Sequence, residues 1–299
     1  MDKNEARQYL DQIRTGEVDD EASRSATKHL ERCADLGEEA AFLENLAEDS
    51  PKLKLTAPAG IQEEVMIRIA DRYDVIETDF GSAHVACTPR GISAVKLDVE
   101  KDGTFESYYK ERLGRTTVRG SLPEAYAEAV RRAIKGEKIT RPPVTLEGLT
   151  EFEQTVLQHL ARIPTGEVRP YAWLAREVGR PKAIRAVGTV MARNPVPFLM
   201  PCHRLVPSTG GVGNYYYGPE MKWTLLEREG IPREDLANWK QRGVRFIGSR
   251  TTGIYCYPTC RDARRVQPRH RLEFSGAAEA ANSGCRPCKH CRPLGEVAV

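Results

Sequence analysis

Between Arg72 and Val99 the apolar positions tend toward a period of two. The stretches Arg72–Asp79, Ser82–Thr88 and Gly91–Val99 are rich in β-branched residues and partly alternate, which predicts three strands. Pro89, Arg90 and Gly91 supply a turn between the second and third. From Pro123 the period lengthens. Tyr126, Ala129, Val130, Ala133 and Ile134 share one face of a predicted helix that Gly136 closes. This is a small α+β unit, in which His84 and Cys87 are read as packing residues. After a boundary at Arg141-Pro142-Pro143, Thr150 and Glu153 form a capping-box pattern ahead of Phe152, Val156, Leu157 and Leu160 at helical spacing. Pro164-Thr165-Gly166 turns the chain. A short helix is then expected from Tyr171 to Val178, stopped by Gly179, and a second from Pro181 to Arg193, halted by Asn194-Pro195-Val196-Pro197. Two short helices with a tight glycine turn predict a helix-turn-helix. The second carries Arg180, Lys182, Arg185 and Arg193 with no acid among them, as suits a helix facing DNA.

Charge sharpens this picture. The 299 residues hold 45 Lys+Arg and 42 Asp+Glu, a net of only +3, with 40% hydrophobic and 29% charged residues, an ordinary globular composition. No apolar run approaches the ~20 residues needed to span a bilayer, and the polar, acidic N-terminus is not a secretory signal. Membrane and secreted classes are excluded, and a cytoplasmic location is expected, or a nuclear one in a eukaryote. The small total hides an asymmetry. Residues 1–50 carry 6 basic and 14 acidic side chains, a net of −8, whereas residues 240–299 carry 12 basic and 4 acidic, a net of +8. The basic end is the expected nucleic-acid contact. The first 50 residues read as two polar helices, with a linker from Pro51 to Pro58. His29 and Cys33 resemble the start of the zinc motif of some anti-sigma factors, but Leu36 stands where its second cysteine belongs. One His and one Cys cannot complete a tetrahedral site, so this segment is read as a solvated helical leader or a partner-binding arm.

Cysteines carry the candidate chemistry. Cys202 sits in an apolar run from Phe198 to Val206 and is followed at once by His203 and Arg204, both of which favour thiolate over thiol. The Ser208–Gly213 loop comes next, so a nucleophile, a base and a backbone-rich loop are close together. With Pro201-Cys202-His203-Arg204 as centre, residues 72–232 resemble the O6-alkylguanine-DNA alkyltransferase family. Gly166–Tyr171 resembles its first DNA-contacting helix, and Arg185–Gly188 its recognition helix with an arginine finger. Asn194–Pro197, Gly213–Tyr215 and Leu225–Gly230, with the acid Glu229, complete the match. The resemblance implies single-turnover transfer of a methyl group from guanine in duplex DNA to Cys202, by an expected monomer, with a Cys202–water–His203–Glu229 relay. It also implies base donation by Tyr215, support from Asn194, and DNA contacts by Tyr171, Arg185, Arg204 and Gly213. The nucleotide must swing out, because the target atom is inaccessible in the stack. On an extended strand Cys202 and His203 would point to opposite faces, a difficulty that the water removes. Tyr216 and Tyr217 stand where several members have smaller residues, which bears on the range of alkyl groups accepted.

The tail offers a second acceptor. Cys256-x3-Cys260 and Cys288-x2-Cys291, separated by 27 residues, can supply four thiolates to one zinc and staple a segment with little core. Arg250–Cys256 and Arg286–Cys291 resemble Ada-type zinc domains, whose first ligand accepts a methyl from a DNA phosphotriester. This implies Cys256, Cys260, Cys288 and Cys291 as ligands of one zinc and Cys256 as that acceptor. Arg261, Arg264, Arg265, Arg269 and Arg271 would hold phosphates, and Cys285 is read as packing. Residues 240–299 leave no room for the activating module found in Ada, so regulation is not implied.

The expected architecture is multidomain α+β: an acidic leader (1–50), a strand-rich α/β subdomain (51–145), a winged-helix-like catalytic DNA-binding domain (146–235) and a four-cysteine zinc domain (240–299). Two competing readings are a module that flips damaged bases without reacting, and a methylation sensor whose zinc site alters promoter affinity. The intact Cys-His pair opposes the first, and the missing activating module opposes the second. A protein partner for residues 1–50 is left open.

Overall fold

The computed structural model describes residues 70–97 and 103–295. The acidic leader, the His29 and Cys33 motif and the Pro51–Pro58 linker therefore lie outside the described residues. The first sheet is an antiparallel meander of β1 (Asp71–Thr78), β2 (Gly81–Thr88) and β3 (Gly91–Leu97), to which β4 (Thr117–Arg119) adds in parallel beside β1. Every residue of β3 is buried, because it packs on both faces. The Val95 amide donates to the Pro195 carbonyl at 2.7 Å, tying this strand to the loop ahead of Cys202.

Two helices cover the sheet. One, α2 (Glu124–Ile134), was expected; its buried stripe is Ala127, Val130, Ala133 and Ile134. The other, α1 (Phe105–Leu113), was missed, as was β4. Alternation within Phe105, Tyr108, Tyr109 and Leu113 is obscured by the charged residues between them. In α1, Arg112 bonds the Arg193 carbonyl at 2.7 Å and pairs with Glu153 at 2.6 Å, a second tie to the helical part.

Next come α3 (Glu151–Leu160), which has the expected capping box from Thr150 and Glu153, and the helix-turn-helix of α4 (Tyr171–Glu177) and α5 (Ile184–Ala192). The second helix begins later than the sequence suggests. Gly179 takes φ +73° and the Ala183 amide donates to the Arg180 carbonyl at 2.9 Å, so Arg180–Ala183 form a turn. Arg180 and Lys182 therefore precede α5, and Arg193 only caps it; Arg185 alone lies within the helix. Short parallel strands β5 (Arg169–Pro170) and β6 (Leu205–Val206) tie the entry of α4 to the residues after Cys202.

Helices α6 (Pro219–Arg228) and α7 (Arg233–Gln241) lead into the tail. There a sheet of order β10-β8-β7-β9 forms from β7 (Phe246–Ser249), β8 (Ile254–Cys256), β9 (Arg271–Phe274) and β10 (Arg286–Pro287), with short helices α8 (Arg261–Arg264) and α9 (Ala277–Asn282). One contiguous core runs from the first sheet through Trp173 and Cys202 to Tyr257 and the tail cysteines. The mixed α+β class is as expected, and the tail contributes to the same core. Among the described residues no helix is long and apolar enough to cross a membrane.

Candidate functional site

Asn194, at the end of α5, shapes the loop that presents Cys202. Its Nδ2 donates to the Met200 carbonyl at 2.8 Å, and its Oδ1 accepts from the Val196 amide at 3.1 Å. Phe198 is forced to φ +69°, an uncommon conformation for a bulky residue, and its ring is buried against Tyr217. The chain then enters a 3-10 turn over Cys202–Arg204. This corrects the extended strand expected there. On a strand, His203 and Arg204 would face opposite sides; in the turn both reach Glu229. His203 Nε2 lies 2.8 Å from Glu229 Oε1, and Arg204 straddles the same carboxylate with Nε at 3.1 and 3.0 Å and Nη2 at 2.8 Å. The Gly166 amide donates to Glu229 Oε2 at 3.0 Å.

Arg204, expected to contact DNA, points inward instead. It is 8% exposed, and its remaining donors bind the Ile163 carbonyl at 2.6 Å and Thr165 Oγ1 at 3.1 Å. A guanidinium committed in this way is not available to DNA.

Electrostatics follow from this geometry. His203 and Arg204 hold the Glu229 carboxyl down at about 2 despite the opposing effect of burial. Burial pushes His203 below its ordinary value, so the ring is neutral at rest. The carboxylate fixes the proton on Nε2 and leaves Nδ1 as an acceptor. Nδ1 is buried without a protein partner, the arrangement that a water-borne relay to the thiol requires. Burial raises the Cys202 thiol, while Asn194, the Lys222 charge and Tyr215 act the other way. The Tyr215 hydroxyl is held far above its ordinary value by burial and by Cys202, so it stays a proton donor. That hydroxyl couples to the thiol but makes no well-directed hydrogen bond with any protein atom.

Lys222 was missed in the sequence. It is fully buried in α6, and its ammonium donates to the Leu205 carbonyl at 2.6 Å and the Asn214 carbonyl at 3.4 Å. Burial lowers it to about 8, opposed by its attraction to Cys202. A signal was available: Lys222, Leu225, Leu226 and Glu229 occupy one helical stripe, so two charged residues sit at core positions.

Cys202 opens onto two cavities. One, of about 330 Å³, is lined by Lys96, Asn194 and Tyr215–Tyr217; the other, of about 630 Å³, by Tyr171, Gly188, Ser208 and Thr209. Tyr171 lies at the mouth of α4, and Arg185 is exposed in the first turn of α5. Ile184 and Tyr216, 42% and 53% exposed, border the second cavity as large apolar surfaces left in solvent. Gly213 takes φ +69°, and a Cβ there would lie 2.7 Å from Pro207 Cγ, so the loop closes only on glycine.

In the tail, Cys256, Cys260, Cys288 and Cys291 are buried with all their sulfurs within 4.8 Å of one another. Tetrahedral zinc with 2.3 Å bonds separates its sulfurs by about 3.8 Å, so the cluster fits one zinc, and the thiols are not paired as disulfides. Asp262 lies 3.3 Å from Cys288 Sγ at the edge of the cluster and pairs with His290 at 2.5 Å. Cys285 lies outside the cluster, packed beside Gly248. Arg261, Arg264, Arg265 and Arg269 are exposed, and Arg271 is half-buried.

A buried thiol backed by a carboxylate–imidazole pair thus stands beside a helix-turn-helix, in one chain with a four-cysteine metal site. Residues 151–231 match the 6-O-methylguanine DNA methyltransferase DNA-binding domain, and residues 238–293 match the metal-binding domain of Ada. The methylated-DNA–protein-cysteine methyltransferase of Mycobacterium leprae is 44% identical over 115 residues, covering 37% of this chain and 70% of that protein. The Rattus norvegicus enzyme of the same name is 32% identical over 196 residues, 60% of this chain and 90% of that one. The chain belongs to the methylated-DNA–protein-cysteine methyltransferase family. The bifunctional transcriptional activator/DNA repair enzyme Ada of Escherichia coli is 34% identical over 165 residues, but the match spans only 46% of its length. The solved Mycobacterium tuberculosis O6-methylguanine methyltransferase aligns with TM-score 0.44 and 28% identity, covering 54% of this chain and 92% of that one.

Proposed function

We propose that this protein repairs DNA by moving the methyl group of O6-methylguanine irreversibly to Cys202. The observation that carries this reading is the position of Cys202 on two cavities with the His203–Glu229 pair behind it and the Tyr215 hydroxyl beside it. Water-relayed loss of the thiol proton to His203 Nδ1 generates the thiolate, and Glu229 stabilises the resulting imidazolium. The sulfur attacks the methyl carbon in line. As the C–O bond breaks, its electron pair passes into guanine, and the Tyr215 hydroxyl donates to the base. Lys222 favours the thiolate from within the core. The product is a thioether with no route back to thiol, so each chain acts once.

Duplex DNA lies along α4 and α5 in this reading. Arg185 takes the place of the extruded nucleotide, Tyr171 presses on its phosphate, and Gly213 lets the loop approach the strand. Arg185→Ala then slows repair of duplex DNA while leaving transfer from a free O6-alkylguanine base unchanged; equal loss on both substrates would contradict the role. Tyr216 and Tyr217 crowd the smaller cavity and bias it towards small alkyl groups.

Cys256, Cys260, Cys288 and Cys291 hold one zinc, whose tetrathiolate, with a charge of about −2, keeps a bound sulfur nucleophilic. We assign to Cys256 a second transfer, from methylphosphotriesters, supported by the match to the Ada metal-binding domain. Cys256 is only 3% exposed, so this transfer requires the zinc segment to open towards DNA. The segments 1–50, 51–145, 146–235 and 240–299 then serve as leader, supporting subdomain, guanine acceptor and phosphotriester acceptor.

A further inference from the structure

Three consecutive residues ahead of α4 grip the loop that carries two of the zinc ligands. Glu167 Oε1 accepts from the amide of Arg261, the residue after Cys260, at 3.0 Å. The Val168 amide donates to Thr259 Oγ1 at 2.9 Å, and that hydroxyl lies 3.4 Å from the Val168 carbonyl. Arg169 lies with its guanidinium carbon 5.4 Å from the Tyr257 ring centre and 5.8 Å from that of Trp173. Tyr257 and Thr259 both fall between Cys256 and Cys260.

Arg169 is the unusual member. It is 3% exposed, bonds the Val168 carbonyl at 2.8 Å and is ion-paired with Glu167, which is equally buried. A buried Arg–Glu pair gains little stability over apolar packing, so stability alone does not account for it. Its guanidinium lies against Tyr257, the residue after Cys256, while its partner Glu167 holds the amide that follows Cys260, so the buried cation stands over the ligand loop. A zinc tetrathiolate carries about −2 in a site from which water is excluded, and such an anion needs a fixed cation. None of the tail's own exposed arginines meets that need as a buried group.

We propose that the segment ahead of α4 completes the zinc site: Arg169 is the buried counter-charge of the tetrathiolate, and Glu167 and Val168 clamp its ligand loop. Zinc retention in this chain then depends on residues outside the match to the Ada metal-binding domain, which begins at residue 238. The link runs both ways. Arg169 is in β5, which pairs with β6 immediately after the Cys202–Arg204 turn, and Tyr171 follows two residues later.

The test follows metal, not methyl transfer. The full-length, zinc-loaded chain is challenged with a chromogenic chelator as wild type, Arg169→Met, Arg169→Gln and Arg169→Lys. The neutral variants should release zinc about tenfold faster, the usual cost of losing an outer-shell partner, and Arg169→Lys should recover most of the loss. With cobalt(II) in place of zinc, the sulfur-to-metal charge-transfer band should move to longer wavelength in both neutral variants and stay in place in Arg169→Lys. Arg169→Gln keeps a donor for the Val168 carbonyl and serves if Arg169→Met does not fold. A folded neutral variant with wild-type release and an unmoved cobalt band overturns the proposal. A wild-type chain without zinc would overturn the metal site itself, a distinct failure.

Discussion

His203 Nε2 and Glu229 Oε1 lie 2.8 Å apart, and the same carboxylate takes the Arg204 guanidinium and the Gly166 amide. Glu229 therefore fixes the tautomer of the imidazole, the turn that presents Cys202 and the loop before α4. Glu229→Gln keeps the shape and removes the charge that stabilises imidazolium. Transfer from O6-methylguanine should fall on the order of 100-fold, the usual contribution of a positioned base. Single-turnover kinetics check this; a rate within a few-fold of wild type would remove the relay from the mechanism.

The same carboxylate sets an acid limb of stability. Its folded value, about 2, lies below the ordinary 4.5. The unfolded chain thus binds the proton first on acidification, and the stabilisation is present above about pH 4.5 and lost as pH falls towards 2. Between those limits the difference in unfolding free energy between wild type and Glu229→Gln should shrink by on the order of 3 kcal/mol. Urea titrations along that range read it directly. A difference independent of pH would contradict the depressed carboxylate.

Lys222 makes a separate prediction. Its ammonium, lowered to about 8 by burial, favours the Cys202 thiolate while it stays protonated. Lys222→Met should shift the pH profile of Cys202 alkylation by a small electrophile to higher pH and slow methyl transfer. It also strands the Leu205 and Asn214 carbonyls, at a cost of about 1–3 kcal/mol each for a buried group left unpaired. An unmoved alkylation profile would make Lys222 purely structural.

These residues also mark where the sequence could and could not be read. The capping box at Thr150, the meander from Arg72 and the Gly179 turn are local, and local rules found them. The four tail cysteines were legible because ligand spacing is itself local information. Arg204 was misjudged because the 3-10 turn at Cys202 depends on Glu229, far along the chain, and no propensity encodes it. Lys222 was overlooked because a charged residue on an apolar stripe looks like surface until its carbonyl partners are known. The Glu167–Arg169 clamp was beyond reach, since its partners lie about 90 residues away.

Gly213→Ala tests the loop after Cys202. A left-handed backbone and a Cβ at 2.7 Å from Pro207 Cγ should together cost about 1–3 kcal/mol. The loop must shift, so affinity for duplex DNA should drop alongside Tm. Wild-type melting and binding would mean that Pro207 yields freely.

Which sulfur takes which methyl can be read directly from the label. Duplex DNA with labelled methyl groups on guanine O6 or on phosphate is presented to wild type, Cys202→Ala and Cys256→Ala, and the label is located by peptide mass. The account predicts that Cys202→Ala abolishes transfer from guanine and spares transfer from phosphate, with Cys256→Ala doing the reverse. Undiminished transfer from guanine to the Cys202→Ala chain would contradict it.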